Sequence, residues 1–193
     1  MPFTYVNHWG VTYYLNEATS PAGKPTYSFT KKPGAKMAET LPDGFEVYER
    51  PQSAQPFLRK VQSTLITSEE LELVRTCCLA HHRPLQIRVL AEPNAMVLYY
   101  SSPPSDDLLP GLSGFLTITP AKREALFSTL IGPLQPELRF RLLNPEQRTF
   151  AAERWSCKGL NEGWLPMGLT QPLEPLVRLL VPHLGRDSLY ESI

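Results

Sequence analysis

LRFRLLNPEQRTFAAERWS, from Leu138 to Ser156, is the stretch whose reading decides the fold. Apolar and polar residues alternate through LRFRLL and again through RTFAAERWS, the period of half-buried strands. Asn144-Pro145 between them signals a turn. Strands joined this closely pair antiparallel. A symmetric register about NPEQ sets Leu143 opposite Arg148, Arg141 opposite Phe150 and Arg139 opposite Ala152. Residues two apart on a strand share a face. That register gathers Arg139, Arg141, Arg148 and Arg154 on one side with Phe150, and puts Phe140, Leu142, Ala151 and Trp155 on the other.

A similar hairpin lies upstream, LQIRVLA and AMVLYYSS around a turn at EPNA. Here Arg88 falls opposite Tyr99, away from Leu85, Ile87, Val89 and Leu98. Each hairpin follows a helix signal. Thr67 with Glu70 forms a capping box, Glu69, Glu70 and Glu72 suit the positive end of the dipole, and Pro84 stops the helix beyond about His82. Thr119 caps a second helix with Pro120 at its first position and Gly132-Pro133 at its end. Residues 67–101 and 119–157 therefore repeat one order: helix, strand, turn, strand. Two amphipathic helices on one face of a four-stranded sheet would bury both apolar faces.

PLEPLVRLLVPHL reads as a C-terminal helix kinked or ended by Pro182, and DSLYESI as a short terminal turn. Residues 1–62 read as β: VTYYLNEA, PTYSFTKK, GFEVYER and PFLRKV alternate with period two, separated by Pro and Gly turn signals. The expected class is α+β, with a largely antiparallel sheet built from two helix-hairpin units. The N-terminal β-rich segment 1–62 packs on the core 63–193, and the C-terminal helix covers a remaining edge or face; the whole forms one integrated unit. Leu71, Val74, Ile87, Leu98, Leu126, Leu130, Phe140 and Trp155 are the expected core.

Bulk properties narrow the classes. The 193 residues suit one domain, or one domain with a small appendage, since domains commonly run to about 100–150 residues. Nineteen basic and nineteen acidic residues give no global pull on nucleic acid or anionic membrane. No apolar run reaches the roughly 18 residues of a membrane span, and the N-terminus lacks a secretory pattern. Three cysteines, two adjacent, make a poor disulfide framework. A cytoplasmic location is expected.

CCLAHH, Cys77 to His82, is the densest set of metal-capable side chains. At about 100° per residue, Cys77, Cys78 and His81 fall on the apolar stripe with Leu71 and Val74. Adjacent cysteines are not the paired spacing of a zinc site. Core packing and helix capping are the expected roles, with no metal and no cofactor. Asp106-Asp107 reads as solvated loop. No nucleotide cradle, hydrolase elbow or zincin motif occurs, and no catalytic residue is assigned.

The arginines carry the functional reading. If both hairpins join one sheet, its outer face gathers Arg88, Arg139, Arg141, Arg148 and Arg154, with Tyr99 and Phe150 among them. Such a face can stack bases, grip phosphates or hold carboxylates. The expectation is a non-enzymatic binding protein holding an acidic protein segment or nucleic acid. The competing structural role is that N-terminal strands cover the face and pair it with Glu46 or Glu49. One alternative is a small enzyme assembled near Cys157 or His81/His82; another is a subunit of a homo-oligomer.

GKPTYSFTKK, LPDGFEVYERP with FLRK, LRFRLL with RTFAAERW, and VPHLGRDSLYESI together resemble the layout of an uncharacterised bacterial protein family with no assigned activity. The resemblance implies one integrated unit of bacterial origin and transfers no site residue.

Overall fold

Period-two alternation becomes strand throughout a computed structural model that describes residues 2–102, 132–156 and 162–191. The chain divides into two units, Met1–Gln62 and Ser63–Ile193. In the first, β1 (Thr4–Val6), β2 (Thr12–Thr19) and β3 (Pro25–Thr30) form an antiparallel sheet, while β4 (Phe45–Glu49) and β5 (Pro56–Lys60) pair as a hairpin. Tyr13, Leu15, Phe29 and Ala38 form its core. Glu46 accepts from Nε of Arg59 at 2.7 Å, and the buried Glu49 accepts from the Tyr5 hydroxyl at 2.9 Å.

The second unit carries α1 (Ser68–His81), β6 (Ile87–Glu92), β7 (Ala95–Tyr100), β8 (Gln135–Asn144), β9 (Thr149–Ser156), β10 (Gly163–Pro172) and α2 (Leu173–Leu180). Single 3-10 turns follow at Val181–His183 and Asp187–Leu189. The five strands lie in the order β10-β9-β8-β7-β6, each pair antiparallel. Mixed helix and antiparallel strand is the arrangement expected of the α+β class. One helix-hairpin unit, α1 with β6 and β7, is present; the second helix expected at residues 119–131 lies outside the described residues, as do Leu126, Leu130, Asp106, Asp107 and Cys157.

A fifth strand, β10, is an addition to the four read from the sequence. GWLPMGLTQP holds two prolines and a mid-strand glycine, which mask the alternation. Prolines are tolerated because β10 is an edge strand and its register breaks between Pro166 and Thr170. One face of the sheet packs on the helices. Leu98, Leu138, Phe140, Phe150 and Ala152 meet Val74 and Cys78 of α1 and Leu176, Val177 and Leu180 of α2.

The register of the central hairpin corrects the symmetric one. Asn144 pairs with Thr149, so the turn sits one residue later than NPEQ, and the register shifts again between Leu142 and Asn144. Asn144 Oδ1 accepts the backbone N–H groups of Glu146 and Gln147, and Arg148 closes the turn at φ +50°. Leu143 is the extra residue of a bulge. The later turn and the bulge together leave an odd net slip: Arg139 faces Glu153, Phe140 faces Ala152 and Arg141 faces Ala151. An odd slip exchanges the two faces of β9. Phe150 is fully buried in the core, and Arg154 pairs with Leu138 on that side. Trp155, expected in the core, is half-buried on the side of Arg139 and Arg141.

The observed register is open to a direct test. Phe150→Ala should lower stability by about 3–5 kcal/mol, the range for truncating a buried phenylalanine. Trp155→Ala should cost clearly less. Urea unfolding of both variants checks the pair, and a loss under about 0.5 kcal/mol for Phe150→Ala, the scale of surface substitutions, would restore the symmetric register.

Candidate functional site

The odd slip on β9 divides the five arginines among three environments. Arg139 and Arg141 share the outer face, and Arg88, opposite Tyr99 as expected, lies in register with them. Glu153 stands between Arg139 and Arg141. Its Oε2 accepts from Nε of Arg139 at 2.6 Å and its Oε1 from Nε of Arg141 at 2.8 Å. The Glu153 side chain is 8% exposed, against 20% for Arg139 and 40% for Arg141. Burial alone would raise its pKa, but hydrogen bonds from Arg141 and Arg139 outweigh burial and hold it below the usual carboxylate range. The Arg139 guanidinium also stacks on Trp164 at 4.5 Å, and Trp164 meets Trp155 edge-on at 5.1 Å.

Arg148 is elsewhere. Its Nε donates to Oε1 of Glu70 at 2.8 Å, with a second contact from Nη2 to Oε2. Glu70 is the residue that accepts from the Thr67 backbone to complete the expected capping box. One carboxylate thus ties the β8–β9 turn to the start of α1.

Arg154 stands apart from the other four. It reaches the end of the sheet, where Nη1 donates to the Tyr190 carbonyl oxygen at 2.7 Å and the guanidinium lies 5.5 Å from the Tyr190 ring. No carboxylate among the described residues pairs with it. Arg154 lines a cavity of about 950 Å³ with Tyr100, Glu137, Trp155, Leu165 and Tyr190. Ser156, the residue before Cys157, also lines it.

Glu137 is a candidate site residue that the sequence reading did not single out. Strict alternation places it beside Arg139 on the outer face. In the structure Leu98 pairs with Leu138 and the next residue, Tyr99, with Pro136, so Glu137 is the unpaired residue of a bulge. Bulges re-aim side chains. The carboxyl turns toward Gly185, whose backbone N–H donates to Oε1 at 2.8 Å. Gly185 has φ +73°, and a Cβ there would lie 2.1 Å from the Tyr100 ring, so only glycine can bring this N–H so close. Burial pushes the Glu137 pKa up to about 7 against the opposing pull of the Gly185 hydrogen bond. The one sequence signal was Pro136, since prolines inside strands mark edges, strand starts and bulges.

The cysteine–histidine cluster takes ordinary roles. Cys78 is buried against the sheet, and burial pushes its thiol up to about 12. Cys77 is half-buried, its Sγ 3.9 Å from the Val177 carbonyl oxygen. His81 is exposed rather than on the apolar stripe. His82 ends α1, its Nε2 2.9 Å from the Val181 carbonyl oxygen and its ring edge-on to Tyr100 at 5.3 Å. Among the described residues no three His, Cys, Asp or Glu side chains converge on a metal site, and no helix is long and apolar enough to cross a membrane. No protein-family model, curated protein or solved structure matches the chain.

Glu137 has a measurable signature. Its folded pKa, about 7, lies above the ordinary 4.5, so the native state keeps a proton that the unfolded chain releases. Stability therefore falls as pH rises from about 4.5 to 7 and stays reduced above that window. Glu137→Gln keeps an acceptor for Gly185 and removes the charge. It should raise stability at pH 8 by up to the order of 3 kcal/mol and leave it nearly unchanged at pH 4, read as melting temperature against pH. Equal effects at both pH values would show that burial does not hold this carboxyl neutral.

Proposed function

We propose that this protein is a binding protein whose ligand occupies the cavity at the end of the sheet, with an anionic group of the ligand held by Arg154. The observation that carries this reading is the contrast among the arginines. Arg139 and Arg141 close on Glu153, and Arg148 on Glu70. Arg154 uses one N–H on a backbone carbonyl and meets no carboxylate among the described residues. A guanidinium with free donors in a cavity walled by Trp155, Leu165 and Tyr190 is suited to a carboxylate or phosphate on an otherwise apolar molecule.

The same contrast favours a small ligand over an acidic protein segment or a nucleic acid. Those partners need several open cations on one face. Glu153 neutralises part of the charge that Arg139 and Arg141 would offer, and Arg154 points to the other side. A second reading, a small enzyme at the same cavity, is favoured by Glu137, whose pKa of about 7 suits general acid–base chemistry.

A thermal-shift screen of small carboxylates and phosphates should yield compounds that raise the melting temperature. For such a binder, Arg154→Gln should weaken affinity at least about tenfold, roughly 1.4 kcal/mol. Arg139→Ala should leave it within about threefold, the equivalent of roughly 0.6 kcal/mol. The reverse pattern would move the site back to the outer face.

A further inference from the structure

The cavity holds a second polar group that an anion alone leaves unused. Glu137 is 8% exposed. Its Oε1 takes the Gly185 N–H, and its Oε2 has no hydrogen bond among the described residues. Among the described residues no fully buried side-chain oxygen or nitrogen lacks a partner, so Oε2 is not sealed in. Glu137 is one of the residues that line the cavity. The bulge between Leu98 and Tyr99 and the close approach of Gly185 to Tyr100 fix this carboxyl on a strand rather than a loop.

Arg154 lines the same cavity, yet no ion pair among the described residues joins it to Glu137. A guanidinium and an ionisable carboxyl in one cavity that do not close on each other can each take a complementary group from a ligand. The rest of the lining mixes aromatic and apolar residues, such as Trp155 and Leu165, with the polar side chains of Ser101, Ser102, Gln135 and Ser156. We infer that the ligand is a zwitterion of about dipeptide size, its carboxylate on Arg154 and its ammonium on Oε2 of Glu137. This deepens, and rests on, the reading of the cavity as an anion-holding ligand site. The size follows from volume: ligand cavities span about 300–1,000 Å³, and about 950 Å³ lies at the upper end, with room for two linked residues. Among the described residues, the charged and titratable groups that line the cavity with Glu137 are Tyr100 on β7, Arg154 on β9 and Tyr190, with Arg186 beyond α2 acting electrostatically on Tyr100. Burial raises the Tyr100 pKa, so its hydroxyl stays neutral and can donate or accept.

The test uses the full chain and a mixed dipeptide library in free, N-acetylated and C-amidated forms, with binding read by native mass spectrometry. The free form should bind, and either block should weaken binding at least about tenfold. Calorimetry of the tightest free dipeptide at pH 6 should show net proton release on binding, because Glu137 must ionise while the ligand amine, with a pKa of about 7.7–8.0, is already charged. Glu137→Gln should abolish that release and erase the preference for the free amine. An N-acetylated library that binds as tightly as the free one overturns the role of Glu137 and leaves the anion reading standing. A C-amidated library that binds as tightly overturns the Arg154 anchor and the zwitterion with it. Binding by no form overturns the zwitterion, while the separate carboxylate and phosphate screen decides the anion reading.

Discussion

Everything in the larger sheet depends on the parity of one register, that of β8 against β9. Side chains alternate strictly along a strand, so a slip of one residue moves a whole set from core to solvent. Asn144 sets the slip by accepting two turn N–H groups, and the extra residue Leu143 completes it. With that parity Phe150 fills the core beside Phe140 and Leu98. Glu153 falls between Arg139 and Arg141, and Arg154 is carried to the cavity. With the opposite parity Glu153 would enter an apolar core and Phe150 would face outward. Burying an unpaired carboxylate is far more costly than burying a phenylalanine is favourable, so the competing register is excluded by charge as much as by packing.

Pairing of charge also anchors the helices to the sheet. Glu70 caps α1 with Thr67 and binds Arg148 at the hairpin turn. The helix start and the turn therefore share one carboxylate, which fixes α1 over the core face at the end where β8 and β9 turn. At the opposite end α2 is followed by the Val181–His183 turn and Gly185. There the backbone, rather than a side chain, satisfies a strand carboxyl.

What the sequence made legible follows from how local each signal is. The capping box, the Pro93-Asn94 turn with Arg88 opposite Tyr99, and the stretches that become β2 to β9 all rest on contacts within a few residues. The failures are the positions where one residue is added. Leu143 and Glu137 are both bulge residues, and nothing in a period-two pattern marks an insertion until the partner strand is known. The first bulge dispersed the expected arginine face, and the second places Glu137, to which the sequence assigned no role, in the wall of a cavity. Strand β10 was missed for a related reason, since Pro166 and Gly168 interrupt its alternation where the register breaks.

The carboxyl of Glu137 is hard to account for as scaffolding. Its structural duty is one hydrogen bond accepted from Gly185, which a glutamine amide oxygen would accept equally well. Glu70 and Glu153 each stand against guanidinium groups that stabilise their charge. Glu137 lacks that compensation, and its raised pKa means that the fold is weakened at neutral pH by keeping an acid there. Strongly perturbed groups in cavities concentrate at functional sites for this reason. An ionisable carboxyl and an arginine that line one cavity without closing on each other are a poor arrangement for stability and a good one for holding a molecule that carries both charges.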